Sequence, residues 1–272
     1  MNPIPELREI RQNSEVLEIA AKLFYQNFKL FGKILLLFLF PVVLLKTLVF
    51  SKGFLILLGA DKEFSPGIYL LFLSVQYSLA LEISALWVYC LAEKQPAEFQ
   101  QLILRFRQHP FRFLRNAFVY PVILSVNFLL IVPGFYWIVA LSLGWAVQVF
   151  ENKGLFSTIK RCMTLTHGYW FQTATLLFTF SLSIGIAYGV VSIPQMISLA
   201  LLSGHGMQAG FLTLVFDWMA GLGTGLLQLF AGVVTALQYL NLVERTEAPG
   251  LRKWISLIGK PVRFSQTEEE TW

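Results

Sequence analysis

Long apolar runs constrain this chain more than any other feature. An α-helix rises about 1.5 Å per residue, so roughly 20 apolar residues cross the hydrocarbon layer of a bilayer, about 30 Å thick. Six segments approach or meet that length, at about 30–50, 68–92, 113–132, 135–150, 171–193 and 222–242. None alternates polar and apolar residues as a membrane-spanning strand would. The expectation is an all-α integral membrane protein with six transmembrane helices. Charge usage agrees, because only 14% of residues are charged, against about 25% in soluble domains, too few to cover a water-facing surface.

The basic residues assign an orientation. Eighteen of the 21 lie before the first span or in the connections after the second, fourth and sixth, leaving Lys46, Lys52 and Lys62 for the other side. The positive-inside rule then makes both termini cytoplasmic, as an even number of spans requires. The formal charge of +5 is accounted for by these flanking residues, and no nucleic-acid partner is expected. Glu6, Arg8, Glu9 and Arg11 precede an apolar run that begins only near Ile34, so a cleaved signal peptide is not expected. These features point to multi-pass insertion in a bacterial inner (cytoplasmic) membrane.

The whole chain, 1–272, reads as a single polytopic domain. Its cytoplasmic connections carry helical periodicity of their own. Val16, Ala20, Leu23, Asn27 and Phe31 form a stripe within 14–31, with Asn13 or Ser14 as the cap. Phe99, Leu102, Ile103 and Phe106 form another within 96–108, with Pro96 suited to a first turn, and Leu155, Ile159 and Met163 a shorter one within 154–166. The tail, 249–272, repeats the spacing at Leu251, Trp254, Ile255 and Ile258. The expectation is a collar of amphipathic interfacial helices whose Lys and Arg face anionic lipid headgroups, with docking of a protein partner as the alternative. On the outer side, Pro133 and Gly134 are expected to form the turn between spans three and four. The region 194–218, interrupted by Ser203, Gly204, His205 and Gly206, reads as two half-length segments.

Chemistry-bearing residues are few. Cys90, His109, Cys162 and His167 all fall near the cytoplasmic interface, but their spacing matches no metal-site pattern, so neither metal nor other cofactor is expected. No phosphate-binding G-x-x-x-x-G-K-[ST] motif occurs, and Gly221, Gly223 and Gly225 lie in a span. Gly185 with Gly189, and Gly221 with Gly225, have the spacing that allows close helix approach, expected here between spans five and six. Lys46 is near enough to the outer boundary to snorkel, and Asp217 is expected at the outer interface. Glu82 is the one carboxylate expected deep in the membrane, ten residues and hence about 15 Å from the boundary at Ala92. A bare carboxylate at mid-membrane costs at least about 2.5–3.5 kcal/mol, so Glu82 should face the bundle interior and meet a donor, with Gln76, Asn127 and Gln148 as candidates.

One stretch carries a resemblance. Leu130, Ile131, Val132, Pro133, Gly134, Phe135, Tyr136 and Trp137 are followed by Glu151 and then by Lys160, Arg161, Cys162, Leu165, Thr166, Gly168, Tyr169 and Trp170. This pattern resembles the membrane domain fused to some bacterial glycerophosphodiester phosphodiesterases and its stand-alone relatives. The similarity is strongest over 128–177. Two residues depart from the family pattern: Ala140 stands where an arginine is common, and Cys162 where a serine is usual. The soluble phosphodiesterase domain has no counterpart, since His109, His167 and His205 stand beside neither Glu nor Asp, so that activity is not carried over.

With no nucleophile and base in view, the expected role is non-enzymatic, an accessory subunit or an envelope-homeostasis factor. The alternative is a transporter or lipid-handling protein with a midplane polar cavity around Glu82. The first requires a packed interior and the second an open one.

Overall fold

The computed structural model describes residues 7–50, 66–95, 97–108, 131–202 and 206–249. Among these the only regular structure is helical. We label the helices α1 (Asn13–Gln26), α2 (Phe28–Ile34), α3 (Phe40–Phe50), α4 (Pro66–Ala92), α5 (Phe99–Gln108), α6 (Ile131–Leu141), α7 (Gly144–Glu151), α8 (Leu155–Thr166), α9 (Trp170–Leu202) and α10 (Gly206–Glu247), with a π turn, Leu35–Leu39, joining α2 to α3. Five stretches among the described residues are long and apolar enough to cross a membrane: Phe28–Phe50, Leu71–Ala92, Gly134–Glu151, Trp170–Pro194 and Leu214–Glu247. The chain is thus a helical, multi-pass membrane protein. The third expected span, 113–132, lies outside the described residues apart from its last two, which open α6. Asn127, His109, His205 and nearly all of the 249–272 tail lie outside them too.

The core is the crossing of α4 and α10. Glycine at 232 brings the helices together: a methyl added there would meet Ser84 Cβ at 2.5 Å and Leu81 Cα at 3.0 Å. The Ser84 hydroxyl donates to the Leu229 carbonyl at 2.8 Å across the same contact. Residues 231–242 of α10 are buried without a break, sheathed by α1, α4, α7 and α9. We call the end of the bundle where this sheath sits the collar end. Towards the far end the sheath thins, and α9 exposes Phe178, Leu182, Ile186 and Val190, apolar surface of the kind lipid tails cover.

Several expectations change. Pro133 and Gly134 make no turn; they lie in the first turn of α6, where a proline's missing N–H costs nothing. The fourth span is two helices interrupted at Ser142 and Leu143. The halves have different partners: Tyr136 in α6 stacks on Trp170, 5.8 Å between ring centroids, while Trp145 in α7 meets Tyr77 of α4 at 5.9 Å. The outer region 194–218 is not a pair of half-length segments. Helix α9 runs 33 residues through Pro194, and α10 runs 42 residues from Gly206. At about 50 and 63 Å, both outrun the hydrocarbon; the collar end of α10 is packed in protein over residues 231–242, a length allowance that lipid thickness alone does not supply.

The collar also packs differently from a layer lying on lipid. Helix α1 is capped by Gln12, not Asn13 or Ser14, and the Glu15 carboxylate accepts the Gln12 backbone N–H at 3.0 Å. Asn13 instead donates to the Gln172 carbonyl at 3.0 Å. The apolar stripe Val16, Ala20 and Leu23 is buried, with Phe24 against Phe230 of α10 at 5.4 Å. On α8 the buried face is Thr158, Cys162, Leu165 and Thr166, one residue around from Leu155, Ile159 and Met163. Its hydroxyls are hidden without loss because Thr158 and Thr166 donate to the carbonyls of Gly154 and Cys162, at 2.9 and 2.8 Å. Helix α5 buries Leu102 and sets Phe106 against Phe38 at 4.9 Å.

Candidate functional site

The intramembrane polar set divides. Glu82 is buried, 1% exposed, on α4, and Gln76 and Gln148 are fully buried. The Tyr77–Trp145 and Tyr89–Phe150 ring pairs bracket Glu82 on α4 and Gln148 on α7, putting the two at one level. Gln76 is engaged elsewhere: it accepts from Lys46 Nζ at 3.4 Å. Lys46 does not snorkel. It turns into the bundle, with Nζ 5.7 Å from the Tyr69 ring centroid, because a cavity of about 90 Å³ shared with Asp217, Tyr188 and Thr224 gives it polar company.

The first rod, α2 and α3 with the π turn between them, runs antiparallel to α4, as the Phe31–Trp87 contact at 4.9 Å and the Lys46–Gln76 contact require. Lys22, Lys29 and Lys33 are exposed along α1 and α2, and exposed ammonium groups do not face lipid tails. Glu82 lies five residues beyond Trp87, so about one helical turn past the level of Lys33.

The glycine pairs part company. Gly221 and Gly225 are packed, but against the first rod: an added methyl would meet Val43 Cγ1 at 2.5 Å and Leu35 Cδ1 at 2.6 Å. Gly223 is the residue that faces α9, against Val191 Cγ1 at 2.5 Å, while Gly185 and Gly189 have nothing within 4 Å. The glycine that α10 turns to α9 thus lies 200° around from the face the spacing suggested.

The larger assembly of charge lies at the collar end. A cavity of about 380 Å³ opens between α4, α7, α8, α10 and the N-terminal segment. At its centre Glu151, the last residue of α7, accepts from Arg161 Nε at 2.7 Å and from the Tyr239 hydroxyl at 2.9 Å, and is paired with Lys153. Arg161 reaches across to Glu247 of α10 at 2.5 Å. Burial works against the Arg161 charge, but the Glu247 and Glu151 carboxylates outweigh it and hold the guanidinium protonated above its ordinary range. Arg8 pairs with Glu93 at the rim. The positive φ of Asn152, +50°, ends α7 in the left-handed conformation that asparagine tolerates. That turn brings α8 back beneath Glu151.

A neutral network beside this cavity fastens the N-terminal segment. Asn241 accepts the Arg11 backbone N–H at 2.9 Å and donates to the Arg11 carbonyl at 3.2 Å. It also donates to Gln238, which donates to Thr173 at 3.2 Å, and Arg245 donates to the same Arg11 carbonyl at 2.7 Å. Sequence reasoning placed Glu151 only as the end of a span and missed this cluster. The one available signal was Glu151 followed ten residues later by Arg161, two of the residues that carry the family resemblance.

Cys90 and Cys162 are buried free thiols, and burial, with the Glu151 charge adding, pushes the Cys162 thiol up to about 12. His167 only terminates α8. Among the described residues no group of three or more His, Cys, Asp or Glu is placed to hold a metal ion. Comparison of the chain with protein-family models, with curated proteins and with solved structures finds no match.

Proposed function

We propose that the protein is a non-enzymatic component of a bacterial inner membrane, an accessory subunit or envelope-homeostasis factor whose working surface is the collar end, turned to the cytoplasm. The closed α4–α10 crossing carries this reading. A methyl added at Gly232 would meet Ser84 Cβ at 2.5 Å and Leu81 Cα at 3.0 Å, and Glu82 and Gln148 line neither of the two cavities described. A static seam suits an assembly partner better than an alternating-access carrier. The exposed lysines of α1 and α2 suit anionic headgroups, and the collar cavity suits a partner.

The test is native-gel migration of membranes extracted in a mild detergent. A subunit migrates in an assembly much larger than 30.9 kDa plus its micelle, and the assembly dissolves when exposed collar residues such as Lys22 and Lys29 are changed to glutamate. Migration as a lone monomer in every mild extract refutes the subunit reading. Orientation is read from His205→Cys and Glu268→Cys, against a silent background because both native thiols are buried. In intact cells an impermeant maleimide should label the first and spare the second. The transport alternative draws on the buried polar side chains of the bundle, Gln76, Ser78, Glu82 and Ser84 on α4 and Gln228 and Thr235 on α10. It predicts that Glu82→Gln folds normally and loses activity.

A further inference from the structure

We propose that the collar-end slot filled by residues 7–12 is a docking site for an extended segment of a partner protein, held closed by the chain's own N-terminal segment. The proposal rests on the reading of the collar end as a docking surface and names what docks there. The slot captures main chain. Asn241 accepts the N–H of residue 11 and donates to its carbonyl, at 2.9 and 3.2 Å, and Arg245 donates to the same carbonyl at 2.7 Å. Every residue except proline offers both groups, so this capture does not depend on the side chain at position 11. The helices hold the receptor in place themselves. Asn241 donates to Gln238 at 3.3 Å, Gln238 donates to Thr173 of α9 at 3.2 Å, and Arg245 Nε donates to Asn241 Oδ1 at 3.3 Å. Leu7, 5% exposed, is the apolar anchor.

The present occupant is lightly held. Residues 7–12 form neither helix nor strand, and Ile10 is 60% exposed. The side chains of the Arg8–Glu93 pair are 43% and 36% exposed, and an ion pair so open to water is worth little. The Arg11 guanidinium turns back along the segment, to the Leu7 carbonyl at 3.1 Å and to Glu9 at 2.9 Å. Release therefore turns on two anchors, Leu7 and Arg11, a small local opening beside the closed bundle. It leaves the buried amides of Gln238 and Asn241 without their occupant, a state that favours replacement. A segment with an apolar residue four places before a free N–H restores both anchors. Its entry also takes Arg8 from the wall of the cavity of about 380 Å³. A second copy of this chain is the poorer occupant, because residue 12 caps α1 directly and leaves no hinge over which two copies could exchange segments.

The probe is a fluorescein-labelled peptide of residues 7–12, blocked at both ends and titrated by anisotropy into the full chain in phosphatidylcholine nanodiscs. The chain's own segment competes, so the wild type should bind weakly. Leu7→Ala weakens that competitor and leaves the slot intact, so it should bind the peptide at least about tenfold more tightly. Arg8→Ala, at the exposed pair, serves with a smaller gain if Leu7→Ala does not fold. A peptide with proline in place of Arg11 lacks the N–H that Asn241 accepts and should lose about tenfold or more. Adding Arg245→Ala to the Leu7→Ala chain should weaken the parent peptide several-fold. Equal affinity of the wild type and the folded strap variants overturns the proposal, as does a proline peptide that binds like its parent, or no binding to folded Leu7→Ala at about 1 mM. Dimerisation of the wild-type chain that Leu7→Ala abolishes assigns the slot to a second copy and likewise overturns it. A large assembly on native gels with no peptide binding rejects this slot alone and leaves the subunit reading standing.

Discussion

Replacing Gly232 with alanine tests the α4–α10 crossing on which both the fold and the functional reading depend. The added methyl would sit 2.5 Å from Ser84 Cβ and 3.0 Å from Leu81 Cα. The serine cannot swing away freely, since its hydroxyl is held by the Leu229 carbonyl, and the Leu81 atom is backbone. Relief therefore requires the two helices to separate by several tenths of an ångström. Overpacking of this kind costs about 1–3 kcal/mol, and for a chain of this size each kcal/mol lowers Tm by about 2–4 °C. The intrinsic preference of helices for alanine over glycine, about 0.5–1 kcal/mol, offsets part of that. The mid-range net, about 1.3 kcal/mol, corresponds to a loss of about 4 °C. Gly189→Ala is the matched control: it gains the same preference, meets nothing within 4 Å, and should hold or raise Tm. A thiol-reactive fluorophore that reports exposure of the buried Cys90 and Cys162 on heating provides the assay. Adding Ser84→Gly to Gly232→Ala should recover only part of the loss, because the Leu81 contact remains. An unchanged Tm for Gly232→Ala would mean that the seam is loosely packed, and the argument for a static bundle would fall with it.

Arg161→Gln should destabilise by about 1 kcal/mol, since Glu151 keeps Lys153 and the Tyr239 hydroxyl and Glu247, 41% exposed, is screened by water; a double-mutant cycle with Glu247→Gln should return a favourable coupling, and strict additivity refutes the bridge. Asn241→Leu should free the N-terminal segment, so trypsin should cleave after Arg8 and Arg11 far faster than in the wild type; equal rates would show that the Asn241 network does not hold it. The Cys162 thiol, raised from 9.0 to about 12, should resist maleimide at pH 8 until the protein unfolds. Its folded pKa lies above the unfolded one, so its contribution to stability is constant below about pH 9 and is lost as pH rises from 9 towards 12; alkaline stability unaltered by Cys162→Ala would contradict this.

The sequence by itself determined what the solvent dictates. Runs such as 171–193 and 222–242 had to become helices in lipid, because no other local structure satisfies every backbone N–H and C=O without water, and the buried stripe Val16, Ala20 and Leu23 follows from the helical period alone. Partner choice was decided by tertiary structure. Periodicity shows that Val16 and Leu23 share a face but not whether lipid or α10 covers it, and the close spacing of Gly221 and Gly225 carries no record of which helix approaches. Helix length escaped for the same reason: α10 outgrows the bilayer with its collar end packed in protein over residues 231–242. The Glu151–Arg161–Glu247 bridge and the Arg11–Asn241 network join residues up to 234 positions apart. Local sequence constrains each partner's helix, and only the packed fold brings their charges and amides within bonding distance.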